Sequence, residues 1–132
     1  MKKQNPKQPE KNQLSKHYKG YGLIHSSFFS KIKSDAKRRN LEFNLTIKDA
    51  WKLFLKQKGV CAISGRQINF AKTATKKADR DDRTASLDRK DSKKGYTKSN
   101  CQWLHKVVNI MKSNFSEEEF IKFCKDIAKN ND

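Results

Sequence analysis

The chain has 132 residues, enough for one domain, and aliphatic and aromatic residues make up only 34% of it, so its core must be modest. Its formal net charge of +17, from 31 Lys and Arg against 14 Asp and Glu, makes a compact state self-repelling and points to a polyanionic partner, nucleic acid before any other. Three scattered cysteines (Cys61, Cys101, Cys124) imply no disulfide framework and fit reduced thiols in a cytoplasmic setting, while the lack of a long apolar run argues against a membrane span.

Residues 1–20 are rich in Lys, Gln and Asn, carry both prolines and have almost nothing to bury, so a disordered basic arm is expected there. The lysines have no apolar segment behind them, which speaks against a signal peptide. A single domain is expected over residues 21–132. Phe28, Phe29, Ile32 and Ala36 recur at helical spacing and predict an amphipathic helix from about Ser27 to Arg39. Leu41, Phe43 and Leu45 alternate with Glu42 and Asn44, the pattern of a short strand. Thr46 and Asp49 then form a capping signal for a helix whose stripe is Ile47, Ala50, Trp51, Phe54 and Leu55, closed by Gly59.

From Gly59 to Phe70 the reading is an extended pair of segments around a Ser64-Gly65 turn, and residues 71–84 read as a charged loop. Short strands are expected at about Thr84–Asp88 and Asn100–Leu104, separated by a turn-rich loop containing Gly95. A helix follows to about Ser113. Ser116 and Glu119 cap a final helix with Phe120, Phe123, Cys124 and Ile127 on its apolar face.

The chemistry concentrates at the second strand pair and its helix. Leu104, Val107, Val108 and Met111 fall at i, i+3, i+4 and i+7 and are expected as the buried stripe. His105, Asn109 and Lys112 form a second stripe, about a third of a turn away at ~100° per residue. Asp88, on the neighbouring strand, is expected to meet His105 and Asn109. One carboxylate, one imidazole and one amide oxygen suffice to hold a hard or borderline divalent cation, with positions open for water and a phosphate oxygen. Lys72–Arg83 and Arg89–Lys98 would flank that cation with positive charge.

Asp88-Arg89, Gly95-Tyr96, Asn100, and Asn109 with Lys112 stand in an order that resembles the HNH (ββα-metal) endonucleases over Cys61–Lys112. A looser resemblance to phage and bacterial HNH proteins runs from about Tyr21, through Arg39-Asn40-Leu41-Glu42-Phe43 and a Cys-Ala-x-Ser-Gly turn at Cys61–Gly65. The resemblance implies an α+β fold with a ββα-metal core over about residues 60–113, flanked by N- and C-terminal helices. It also implies phosphodiester hydrolysis of DNA, duplex first, by a bacterial or phage-encoded protein with Mg²⁺ or Mn²⁺ and no small-molecule cofactor.

On that resemblance Asp88 and Asn109 are the metal ligands, with His105 a third ligand or a base. Asn100 is the central Asn that braces the loop. Arg89 stands where many members have a His base, and an arginine stays protonated, so it cannot take the proton from water. The base is then Asp91, a metal-bound hydroxide or His105, and Arg89 is left to clamp a phosphate. Lys93, Lys94 and Lys112 join Arg89 as the expected DNA contacts. The alternative is a catalytically impaired HNH-like module that only binds DNA. Many members also hold a structural zinc, but the matching positions here are Cys61, Ser64, His105 and Val108. Ser64 and Val108 cannot complete such a site, so no structural zinc is expected, and packing around Trp103, Val107 and Val108 is expected to replace it.

Overall fold

A computed structural model describes residues 18–132; the basic arm expected at the N-terminus lies almost wholly outside the described residues. The described residues form a small α+β fold of helices around two two-stranded antiparallel sheets. The first of these is a hairpin that the sequence reading did not foresee, β1 (Gly20–Tyr21) against β2 (Ile24–His25). Tyr18, assigned above to the arm, pins this turn by donating from its hydroxyl to the Gly22 carbonyl at 2.7 Å. Gly22 has φ +57°, and a Cβ there would sit 2.2 Å from the Trp51 ring, so both backbone and space require glycine.

Helix α1 (Ser26–Arg38) follows directly, one residue earlier than the expected boundaries. The segment expected as a strand at 41–45 makes a single parallel bridge instead, Phe43 to Tyr96. Tyr96 donates its amide to the Glu42 carbonyl and accepts from the Asn44 amide, both at 2.8 Å, so this segment anchors the loop that precedes the second strand pair. Gly95 lies so close beneath it that a Cβ would meet the Glu42 carbonyl at 2.5 Å. Helix α2 (Ile47–Lys56) has the full capping box. Thr46 Oγ1 accepts from the Asp49 amide at 3.1 Å, and Asp49 Oδ2 accepts from the Thr46 amide at 3.0 Å. Ala50, Trp51 and Phe54 of its stripe are buried, and Gly59, at φ +71°, follows its last turn.

The Cys61–Gly65 turn is present, closed by the Cys61 amide donating to the Arg66 carbonyl at 2.7 Å, but the extended pair around it amounts to one bridge, Val60 to Gln67. The charged stretch 71–84 contains a helical turn, α3 (Lys77–Asp81). Then β3 (Ala85–Arg89) pairs with β4 (Cys101–His105), and α4 (Lys106–Lys112) and α5 (Glu117–Asn130) complete the chain. Among the described residues no helix is long and apolar enough to cross a membrane.

An aromatic cluster of Trp51, Phe54, Phe70 and Trp103 forms the centre of the core. Phe70 meets Phe54 at 4.8 Å between ring centroids and Trp103 edge-on at 5.0 Å. Polar contacts then fix β4 to α2. Trp103 Nε1 donates to the Ala50 carbonyl at 2.9 Å, and the Gln57 amide pairs with both the amide and the carbonyl of Trp103 at 2.8 Å, as a neighbouring strand would. The β3–β4 hairpin is therefore held rigidly against α2 through its second strand.

Candidate functional site

The hairpin register decides which side chains can meet. Opposed residues of an antiparallel pair share a face, and faces alternate along each strand. Ser86 opposes Leu104 and Asp88 opposes Gln102 on one face. Ala85, Leu87 and Arg89 oppose His105, Trp103 and Cys101 on the other, which packs on the aromatic core. Helix α4 covers the Ser86–Asp88 face. There Asn109 Nδ2 donates to Ser86 Oγ at 2.7 Å, and one turn later Lys112 Nζ lies 3.3 Å from Asp88 Oδ1.

Asp88 is buried and fully occupied by partners. Its Oδ2 accepts from Gln102 Nε2 at 3.0 Å, and Lys112, 1% exposed, is its counter-ion. Lys112 Nζ also lies 3.4 Å from the Arg89 carbonyl, and Gln102 donates to Glu117 at the start of α5 at 2.9 Å. The low-dielectric surroundings strengthen every link of this chain. The structure thus sets Asp88, Asn109 and Lys112 along one face, with Lys112 against Asp88 and Asn109 against Ser86, and adds Ser86 and Gln102, which the sequence reading missed. Register was the available signal: once β3 and β4 are paired, Gln102 must face Asp88.

His105 does not join them. It sits opposite Ala85, on the other face from Asp88, and its backbone is extended (φ −66°, ψ 136°). It is the N-cap of α4 and not its first helical residue. Its Nδ1 accepts from the Val107 amide at 3.1 Å. The i, i+4 relation to Asn109 fails because a cap residue does not share the helical screw. The expected buried stripe of α4 is corrected as well. Leu104 is fully buried in β4 and Val108 packs half-buried against the core, but Val107 and Met111 are exposed, and the polar stripe of Asn109 and Lys112 faces inward. Val107 accordingly takes no part in holding the unit together.

Arg89, expected on a phosphate, is buried, and its Nη1 donates to the carbonyls of Ser92 at 2.6 Å and Lys94 at 2.8 Å. Its guanidinium also lies 5.5 Å from the Tyr96 ring. It holds the β3–β4 loop from inside. Asn100 completes that loop: its Nδ2 donates to the carbonyls of Asp91 at 3.0 Å and Gly95 at 2.9 Å, and its Oδ1 accepts from the Asp91 amide at 2.9 Å. Asp91 is exposed and accepts from the Lys93 amide at 2.9 Å; Lys93 and Lys94 are exposed at the loop surface. Lys112, also expected on DNA, is enclosed with Asp88 and reaches no surface.

Cys61, the first of the four positions compared above with a zinc site, is buried beneath its turn, with the Ser64 amide 3.4 Å from Sγ. Burial raises its pKa, but contacts from Ser64, His105 and Ile63 outweigh that and leave it below the usual thiol value. Cys101, beside Arg89 in β4, is pushed up to about 11 by burial. Among the described residues no three His, Cys, Asp or Glu side chains converge on one point.

As donors, one carboxylate and the amide oxygen of Asn109, whose NH₂ is engaged by Ser86, suit a hard divalent cation that keeps most of its waters. Such an ion would share Asp88 with the ammonium of Lys112, so the donor chemistry fits and loading requires Lys112 to leave Oδ1. Comparison with family models, curated proteins and solved structures finds no match for this chain.

Proposed function

We propose that this chain is a divalent-metal-dependent DNA endonuclease of HNH type, cleaving phosphodiester bonds at Asp88 and Asn109. One observation carries this reading. A strand–loop–strand–helix unit sets a carboxylate on the first strand and an amide on the helix at one face of the hairpin, while Asn100 braces the connecting loop. The order of these residues along the chain is that of the resemblance described above, and the surplus of positive charge suits a polyanionic substrate.

In this proposal Asp88 and Asn109 hold Mg²⁺ or Mn²⁺, which when bound stabilises charge on the phosphate and the leaving oxygen. Lys112 neutralises Asp88 in the resting site and would give up Oδ1 to the ion. Arg89 and Asn100 hold the loop that presents Lys93 and Lys94 to the backbone of the duplex. His105 keeps the start of α4 in place. Asp91, exposed on that loop, is the carboxylate available as a base for water.

Supercoiled-plasmid cleavage with Mg²⁺ or Mn²⁺ tests the proposal. Wild type is expected to nick or linearise the plasmid, and Asp88→Ala and Asn109→Ala to lose about 100-fold in rate, the upper end of the range for disturbing a metal site's close partners. Equal cutting by all three proteins would reject the site. A second reading rests on the buried Asp88–Lys112 pair, which already satisfies the carboxylate. In that reading the chain binds DNA without cutting it, and salt-sensitive binding survives both chelation and Asn109→Ala.

A further inference from the structure

The last two helices present an apolar surface to solvent. With its polar stripe turned inward, α4 exposes Val107, Ile110 (77%) and Met111 (57%). Phe115, in the connection, meets Phe123 of α5 at 6.1 Å between rings, and Phe123 (57%) and Ile127 (63%) continue the surface along α5. Val108, Met111, Phe120 and Cys124 line a shallow groove between the two helices, so the faces are continuous. Only Phe120 of the 14 residues of α5 is buried. A helix of that length is marginal by itself in water and draws its stability from a covered face.

We infer that this surface joins two copies of the chain, with α5 packed antiparallel against α5 of the partner. Charge complementarity supports a second copy. Glu119, Lys122, Asp126 and Lys129 lie at i, i+3, i+7 and i+10, a stripe of alternating sign flanking Phe123 and Ile127. An antiparallel pairing centred on Cys124 sets Glu119 opposite the partner's Lys129 and Lys122 opposite the partner's Asp126. A two-fold axis repeats both pairs, as an interface between identical copies requires.

The distribution of charge agrees with this. Residues 113–132 carry three lysines against five carboxylates, so the whole positive surplus lies in residues 1–112. The C-terminal helix is thus unsuited to DNA, and pairing there adds no lysine-rich surface to the contact. The six exposed apolar side chains present on the order of 500 Å² per copy, taking about 150 Å² for each when fully exposed. Two such faces bury about 1,000 Å², the lower bound for a specific interface.

Sedimentation of the full chain in moderate salt, free of DNA and added metal, tests the inference independently of any nuclease activity. The wild type is expected to move from the mass of one chain to that of two as concentration rises. Ile127→Asp and Phe123→Asp should raise the dissociation constant at least tenfold while the far-ultraviolet circular dichroism stays unchanged, because neither side chain belongs to the core. Lys122→Asp should weaken association by like-charge contact with Asp126, and Lys122→Asp with Asp126→Lys should restore it. A chain that stays monomeric over the whole range would overturn the inference and leave the surface to an unlike partner or to residues 1–17. A dimer indifferent to Phe123, Ile127 and the charge swap would overturn it equally.

Discussion

Asp88 and Lys112 are both almost wholly buried, and each leaves the other uncompensated if removed. Lys112→Ala is therefore expected to destabilise the fold by about 3–5 kcal/mol, as for other broken buried pairs. Lys112→Met with Asp88→Asn should recover much of that loss, because it removes both charges at similar volume. Urea unfolding of the two proteins checks this, and equal midpoints would show that the pair does not act as a unit. Gln102 tightens the same group by linking Asp88 to Glu117. A single carboxylate thus connects β3, β4, α4 and the start of α5.

At the scale of elements, the helix starts carry the clearest local signals. Thr46 and Asp49 close a reciprocal box at α2, and Thr46→Ala is expected to cost about 0.5–2 kcal/mol at neutral pH. The hydrogen bond from the Thr46 amide, followed by one from its hydroxyl and by Lys98, holds the Asp49 carboxyl below its usual value of 3.8. A depressed carboxyl stabilises the fold above its unfolded value, and that stabilisation is lost as pH falls through the folded one. Asp49→Asn should accordingly lower the melting temperature at pH 7, with the gap to wild type closing below pH 4. A gap that persists undiminished into acid would show that the charge of Asp49 is not what caps α2. The start of α4 is different in kind: the chain passes from β4 into the helix at His105 without a loop, so the end of the strand sets which helical face turns inward.

Over the whole molecule, the positive surplus stops short of α5. It lies in residues 1–112, while residues 113–132 carry a net negative charge and, in Phe115, Phe123 and Ile127, half of the exposed apolar side chains of the C-terminal face. Under the proposed function, the logarithm of the DNA-binding constant should fall linearly with the logarithm of salt concentration. Lys93→Ala with Lys94→Ala should reduce the magnitude of that slope by about 2, one phosphate contact for each lysine. Lys112→Met should leave the slope unchanged, since the side chain is enclosed. Titration of a labelled duplex at several salt concentrations reads both. An unchanged slope for the double variant would place the phosphate contacts elsewhere, such as at Arg80 and Lys31 beside the concavity between α1 and α3.

Much of this was legible along the chain. The Thr46 and Ser116 caps, the Trp51–Phe54 stripe and the two paired strands all follow from local pattern, because capping, periodicity and alternation act between neighbours in sequence. The bracing role of Asn100 was implied by the resemblance and not by local pattern, and its contacts across the loop agree with it. Sequence by itself could not orient α4. Periodicity pointed to the apolar stripe as the inner one, whereas the buried carboxylate of Asp88 and the hydroxyl of Ser86 drew Lys112 and Asn109 inward. Nor could it show that Arg89 is turned into its own loop, since that depends on carbonyls brought round by the turn at 92–94. The sequence determined that carboxylate, amide and ammonium groups are supplied at the right spacing. The tertiary structure decided which of them meet, because strand register and burial, acting between distant residues, overrule the face that periodicity favours.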